Sequence, residues 1–417
     1  MRNNQHRKNR RNGLPTSTKP GKPINLNKPS GKAITKADGT TTVRYLPKDV
    51  IAARHNLSKQ IAAQKRKSAR ARIFGRRLPM LMPVEELGAQ HAPEAADRDL
   101  GSLWACKTAK AIKRRMAKSD KSFRSKAMRA IERRSISEET RQLIEAILKG
   151  DMVTSAPIMT SSQVVREARS FLAKKLIEIA ASDPEIEMGM VTIISGDHAT
   201  SVNRPFIDIA NAQAQMGRTL NAMSKDYFAV EEWSLFNSHT HSDGGQLIQG
   251  HCHALIFGRG ILAKASQVGA KHSALHSSNV TDADPIVIRR VRTDPVNIRR
   301  AASYLVKYPH KAKTWCPERE GKKGHMHEGE KGDRYTRFLR MAEILSLVTL
   351  EDLVFAGGRG QKEIKSPLVK LIRALCETHA RGSTRLIHPD GMATIWARLA
   401  KELGKTAWSV PIIARRK

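Results

Sequence analysis

The chain has 417 residues, with 74 Lys and Arg against 39 Asp and Glu, a formal net charge of +35 and a hydrophobic fraction of 40%. That fraction can build at least one sizeable core, while the charge excess goes well beyond what solubility needs and points to a polyanionic partner, nucleic acid before membrane surface. No apolar run reaches the roughly 18 residues of a spanning helix, the N-terminal residues lack a signal peptide's apolar stretch, and Cys106, Cys252, Cys316 and Cys376 are scattered; a cytoplasmic protein with no membrane partner, disulfide framework or standard zinc finger is expected.

Residues 1–100 read as a basic arm and linker. Up to Arg77 the chain is dense in Lys, Arg, Pro, Gly and Asn, its acids are Asp38 and Asp49, and sustained apolar periodicity is missing, so most of it is expected to be disordered. "QKRKSARARIFGRR" (64–77) can turn helical on DNA. In "MLMPVEELGAQHAPEAAD" (80–97) the charge changes sign and Pro and Ala dominate, which marks a linker.

Residues 101–185 read as a basic helical region. It comprises "ACKTAKAIKRRMAKSDKSFRSKAMRAIERR", then "SISEETRQLIEAILKG", in which Ser135 and Glu138 have capping-box spacing and Gly150 stops the helix, then "SSQVVREARSFLAKKLIEIAAS".

From residue 186 to 332 the pattern alternates. "EMGMVTIISG" (187–196) is a β-branched apolar run bounded by Pro184 and Gly196, a buried strand. A helix at 205–224, strands at 227–236 and 251–257, a helix at 261–274, a strand at 286–291 and a helix from Pro295 follow. The predicted fold class is α+β, an antiparallel sheet with flanking helices. Residues 333–417 read as a helical C-terminal region with a basic end.

Three His-x-His pairs occur: His239 with His241, His251 with His253, and His325 with His327. Residues at i and i+2 converge on one ion most easily from a strand, where alternate side chains share a face. Only "GHCHALIFG" continues into a strand, so His251 and His253 are the candidate metal ligands. The other two pairs lie in "HTHSDGG" and "EGKKGHMHEGEKG", polar segments expected to be solvated loops.

"DPVNIRRAASYLVKYPHK" (294–311) opens with an Asp N-cap and Pro at the first helical position, and Ile298, Ala301, Ala302 and Leu305 define its core face. Tyr304 and Tyr308 are spaced i, i+4, as are Lys307 and Lys311, so a continuous helix would set a tyrosine row beside a lysine row. Pro309 opposes helical geometry at Tyr308, so a kink or helix end is expected there.

A His-apolar-His strand followed by Tyr-x-x-Lys-Tyr-x-x-Lys resembles the HUH endonucleases, in particular the two-tyrosine initiators of rolling-circle replication in plasmids and single-stranded DNA phages. The resemblance covers residues 187–312, with "GHCHALIFG" similar to the metal motif, "YLVKYPHK" to the nucleophile motif and "MVTIISG" in the place of a less specific strand motif. Histidines before tyrosines is the order of initiators and related transposases, whereas relaxases have the reverse.

The resemblance implies that Tyr304 and Tyr308 attack DNA to form a covalent 5′-phosphotyrosine, with Lys307 and Lys311 holding phosphate. It also implies a third, usually acidic, ligand. "VEEWSL" offers Glu231 and Glu232; parity with Phe228 and Val230 favours Glu232, with His241 or Asp243 as substitutes. Two imidazoles with oxygen ligands suit Mg or Mn ahead of zinc. The implied partners are single-stranded or supercoiled origin DNA and a host helicase and polymerase, because no G-x-x-x-x-G-K-[ST] loop is present. A two-tyrosine transposase and a non-catalytic basic DNA-binding protein are the competing readings.

Overall fold

The structure is a computed structural model that describes residues 33–35, 41–43, 103–132, 134–149, 154–277, 284–308, 314–316, 325–327, 334–383, 386–387, 389–405 and 407–415. The chain divides into two units, Met1–Gly75 and Arg76–Lys417. In the first, β1 (Ala33–Thr35) pairs antiparallel with β2 (Thr41–Val43). Ile34, Thr35, Thr42 and Val43 supply β-branched propensity that the basic composition around them masks. A paired segment therefore falls within the stretch expected to be mostly disordered, while the other residues up to 102, including 64–77 and 80–97, lie outside the described ones.

The second unit begins with three helices, α1 (Ala109–Glu132), α2 (Glu138–Lys149) and α3 (Ser162–Ala181). Ser137 caps α2, with its Oγ accepting the Thr140 N–H. The expected cap, Ser135, lies two residues too early, because Ile136 packs against the core and fixes where the chain turns in.

Then follow β3 (Glu187–Ser201), β4 (Phe206–Asp208), α4 (Ile209–Met223), β5 (Tyr227–Thr240), β6 (Gln246–Gly258), α5 (Ile261–His272), β7 (Ile286–Val291) and α6 (Pro295–Leu305). Beyond them lie β8 (Thr314–Cys316), β9 (His325–His327), α7 (Arg334–Ser346), α8 (Leu350–Leu353), β10 (Val354–Gly357), α9 (Ser366–Arg381), α10 (Pro389–Glu402) and β11 (Ile412–Ala414).

Five strands form one antiparallel sheet in the order β10-β5-β6-β3-β7. The α+β class with an antiparallel sheet and flanking helices is therefore the observed one. The run β3-α4-β5-β6-α5-β7, with β3 and β5 both flanking β6, is a split β-α-β arrangement. It makes β6, which carries His251 and His253, the middle strand.

Each face of the sheet packs against its own helices. Met188, Met190, Phe228, Val230, Leu255 and Phe257 meet Leu172 of α3, Ile298 and Leu305 of α6 and Leu339 of α7. On the other face Val191, Ala229, Cys252, Ala254 and Ile256 meet Met216 and Leu220 of α4 and Leu262 of α5. Each such Leu, Ile or Phe contributes roughly 1.5–3 kcal/mol by leaving water. Burial on both sides pins the register, since a one-residue slip would send every side chain to the wrong face.

Strand boundaries differ from the sequence expectation at the hairpin. β5 runs on to Thr240, with a register shift between Phe236 and Thr240, and β6 starts at Gln246. His239 therefore lies in a strand, and the turn is confined to residues 241–245. His325 and His327 likewise form β9, paired with β8, where a loop was expected. Cross-strand backbone pairing overrides the polar sequence at both places.

Candidate metal centre

Glu232 on β5 stands directly opposite His251 on β6, and Thr192 on β3 directly opposite His253. All four residues have the parity of the sheet face covered by α3, α6 and α7. The Glu232 Oε2 lies 3.5 Å from His253 Nε2 and 3.9 Å from His251 Nε2, and the two imidazoles meet edge to face with centroids 4.9 Å apart. Separations of this size match the edges of a coordination sphere with metal–ligand bonds of about 2.1 Å. Among the described residues this is the one His/Cys/Asp/Glu group close enough to hold an ion.

The donor set is also prepared chemically. Thr192 Oγ1 lies 2.9 Å from His253 Nδ1, so a proton on Nδ1 donated to Thr192 leaves the Nε2 lone pair facing the carboxylate, which is what a metal ligand needs. His251 and His253 are 6% and 5% exposed, which limits competing water. Behind His251, Gly250 admits the close approach of β3 and β5: a Cβ there would sit 3.0 Å from Trp233 Nε1 and 3.1 Å from His198 Cβ.

Alternation separates the two glutamates. Glu231 faces the α4 side, where burial, reinforced by Asp208 and only partly opposed by Gln213, pushes its carboxyl well above the usual range. Cys252, between the two histidines, points the same way; burial and then Glu231 push its thiol up, which disfavours the thiolate. The substitute ligands do not reach the centre. Asp243 accepts from Ser201 Oγ at 2.7 Å and from the Gly245 N–H at 2.9 Å in the turn, and His241 lies beside it at 3.5 Å. With Gln246 opening β6, that turn is roughly 17 Å along the strand from His251.

The end of α6 completes the site. The Asp294 carboxylate accepts from the Val296 and Asn297 N–H groups, so the predicted N-cap and Pro295 start are observed. Tyr304 in the last turn places its ring 4.8 Å from that of His253. Lys307 Nζ is bonded to Glu232 Oε2 and lies 4.1 Å from the Tyr304 ring centroid. Five expected site residues, Glu232, His251, His253, Tyr304 and Lys307, are thus brought together.

Tyr308 is not brought to this cluster. The helix ends at Leu305, and Val306 has φ −112° and ψ 79°, so the expected tyrosine row does not form; Pro309 disfavours helical backbone at Tyr308. Tyr308 is 1% exposed, stacks on Phe123 at 4.9 Å and donates its hydroxyl to the Thr160 carbonyl at 3.2 Å. Burial, then the Asp120 charge, drive its phenol further from ionisation. Lys311 lies outside the described residues.

Three supporting groups carry weaker sequence signals. Arg169 of α3 forms a bidentate pair with Asp120 of α1, at 2.6 and 2.8 Å, and its Nε–H donates to the Val306 carbonyl, fixing the turn between Tyr304 and Lys307. Trp104 lies against Tyr304 at 6.0 Å. Thr192 has the right parity in "MVTIISG", a signal legible only once its partner strand is known. A search against family models, curated proteins and solved structures gives no match for this chain.

Proposed function

We propose that this protein nicks and rejoins one DNA strand at a replication origin and so starts rolling-circle replication, as an HUH-type endonuclease. The observation that carries the reading is a tyrosine ring set against one histidine of a buried Glu-His-His cluster, with a lysine joining the carboxylate to that ring. Glu232, His251 and His253 would hold a divalent ion, Mg or Mn ahead of zinc. The ion supplies polarisation of a phosphoryl oxygen and offsets charge built up in the transition state.

Tyr304 is the nucleophile. Its phenolic oxygen forms a bond to phosphorus as the bond to the 3′ oxygen breaks; the phenol loses a proton and the departing oxygen gains one. The phosphotyrosine keeps the energy of the bond, so the reverse step rejoins a strand without ATP. Lys307 offsets phosphate charge beside the attacking ring. Tyr308 is structural in this reading, so the cycle uses a single nucleophile and the two-tyrosine transposase is less well supported. Supercoiled or single-stranded origin DNA is the substrate, and a host helicase and polymerase carry out opening and synthesis.

The test is incubation of the protein with Mn²⁺ and 3′-labelled single strands tiled across the DNA that encodes it. Expected is a label that stays with the protein under denaturing conditions and disappears with Tyr304→Phe. Absence of any adduct with Mn²⁺ or Mg²⁺ would leave a non-catalytic DNA-binding protein as the better reading.

A further inference from the structure

We infer that the exposed face of α1 is a track for single-stranded DNA, leading from the metal centre along the flank of the nicked strand. Lys110, Lys113, Arg114, Lys118 and Lys121 are all exposed, and at 100° per residue they fall on one arc of the helix. Their rise from first to last is roughly 17 Å. The opposite arc is buried through Ile112, Met116, Phe123 and Ala127, so this face cannot rotate away from solvent.

Charge on the arc is uncompensated. Within α1 the acids are Asp120, buried against Arg169, and Glu132 at the far end. Among the described residues none of the five cations has an ion pair. Five like charges at i, i+3 and i+4 repel one another and destabilise the helix. A helix that needed only solubility would interleave acids, so the arrangement fits a surface whose counterion is a polyphosphate.

Placement ties the arc to the site. Leu103, Ile112 and Met116 form a small core against which Tyr304 packs, and Arg300 Nε donates to the Cys106 carbonyl at 2.8 Å. The start of α1 is therefore fixed to α6, with Trp104 beside Tyr304. Aromatic rings at the near end of a cationic stripe are the combination by which single strands are held, bases stacked and phosphates tracked. The recessed, half-buried Tyr304 favours a single strand over a duplex. Where the track leads rests on the strand-transfer reading of the cluster; that it binds DNA does not.

The test is binding of full-length protein to a labelled single-stranded oligonucleotide across a salt series, compared with a Lys110→Gln, Arg114→Gln, Lys118→Gln triple variant. Glutamine keeps helix propensity, and circular dichroism checks the fold. Loss of three phosphate contacts should flatten the slope of log affinity against log salt by about 2. An unchanged slope overturns the track, and equal competition by duplex of the same length overturns the single-strand assignment. If the unmodified protein forms no DNA adduct with Mn²⁺ or Mg²⁺ while the triple variant still flattens the slope, the catalytic reading is rejected and the track stands.

Discussion

Tyr304 and Tyr308 are four residues apart, yet Tyr304 lies edge to face with the candidate metal-ligand ring of His253 at 4.8 Å while Tyr308 stacks flat on Phe123 at 4.9 Å and 0°. The break after Leu305 sends them to different surroundings, one catalytic in our reading and one structural. Tyr304→Phe should abolish the DNA adduct and change stability little. Tyr308→Phe should keep the adduct and cost about 1 kcal/mol through the lost hydrogen bond to Thr160. Denaturant unfolding and the adduct assay separate the two; a Tyr308→Phe protein that folds normally but forms no adduct would restore the two-tyrosine mechanism.

Thr192 orients His253 without joining the ligand set. Thr192→Val keeps shape but removes the hydrogen bond to Nδ1, so the tautomer with an unprotonated Nε2 is no longer favoured. Mn²⁺ affinity measured by calorimetry should fall roughly tenfold to hundredfold, against complete loss for His251→Ala or Glu232→Gln. Equal affinity in Thr192→Val would mean that the ring is fixed by packing alone.

The centre was legible where period-two alternation applied. His251, His253 and Glu232 share a face by parity, and the sheet sets Glu232 opposite His251. What periodicity could not supply were partners distant in sequence: Arg169 reaches Val306 across 137 positions, and Thr192 reaches His253 across 61. The tyrosine row, which needed a continuous helix, does not form because α6 ends at Leu305, before Tyr308 is reached. β10, too short to alternate, left no pattern at all, although it forms an edge of the sheet.

Glu402 provides a pH handle remote from the metal centre. Burial acts most strongly and upward on its carboxyl, but the Ser137 N–H, the Thr140 and Ser137 hydroxyls and Arg398 together outweigh it and hold the pKa at about 2, below the ordinary 4.5. Folding lowers the pKa, so the unfolded chain binds this proton more readily. The stabilisation is complete above about pH 4.5 and is lost as pH falls towards 2. In acid titrations followed by circular dichroism, Glu402→Gln should flatten the loss of stability over that window; an unchanged acid limb would place the sensitivity elsewhere.

Arg169 holds the turn that parts Tyr304 from Lys307. Arg169→Met strands a buried Asp120 carboxylate and should cost about 3–5 kcal/mol. Adding Asp120→Leu removes the unpaired charge and should recover most of that stability, but it cannot restore the bond to the Val306 carbonyl. The double variant should therefore melt near wild type and still form adduct slowly. Recovery of both together would show that Arg169 acts on folding alone.

Lys307 and a divalent ion held at this site would compete for one carboxylate. Its ammonium bonds Glu232 Oε2, the same oxygen that faces both imidazole nitrogens, with Lys307 4% and Glu232 11% exposed. Screening is weak at such burial, so one cation opposes another. Lys307→Met removes the opposing charge while keeping an apolar stem over the Tyr304 ring. Mn²⁺ should then bind about tenfold tighter, a gain of about 1.4 kcal/mol, while adduct formation falls because no cation remains beside the attacking oxygen. A loss in both measurements would mean that Lys307 builds the site as a structural partner of Glu232, and tighter metal binding with undiminished adduct formation would remove it from the chemistry.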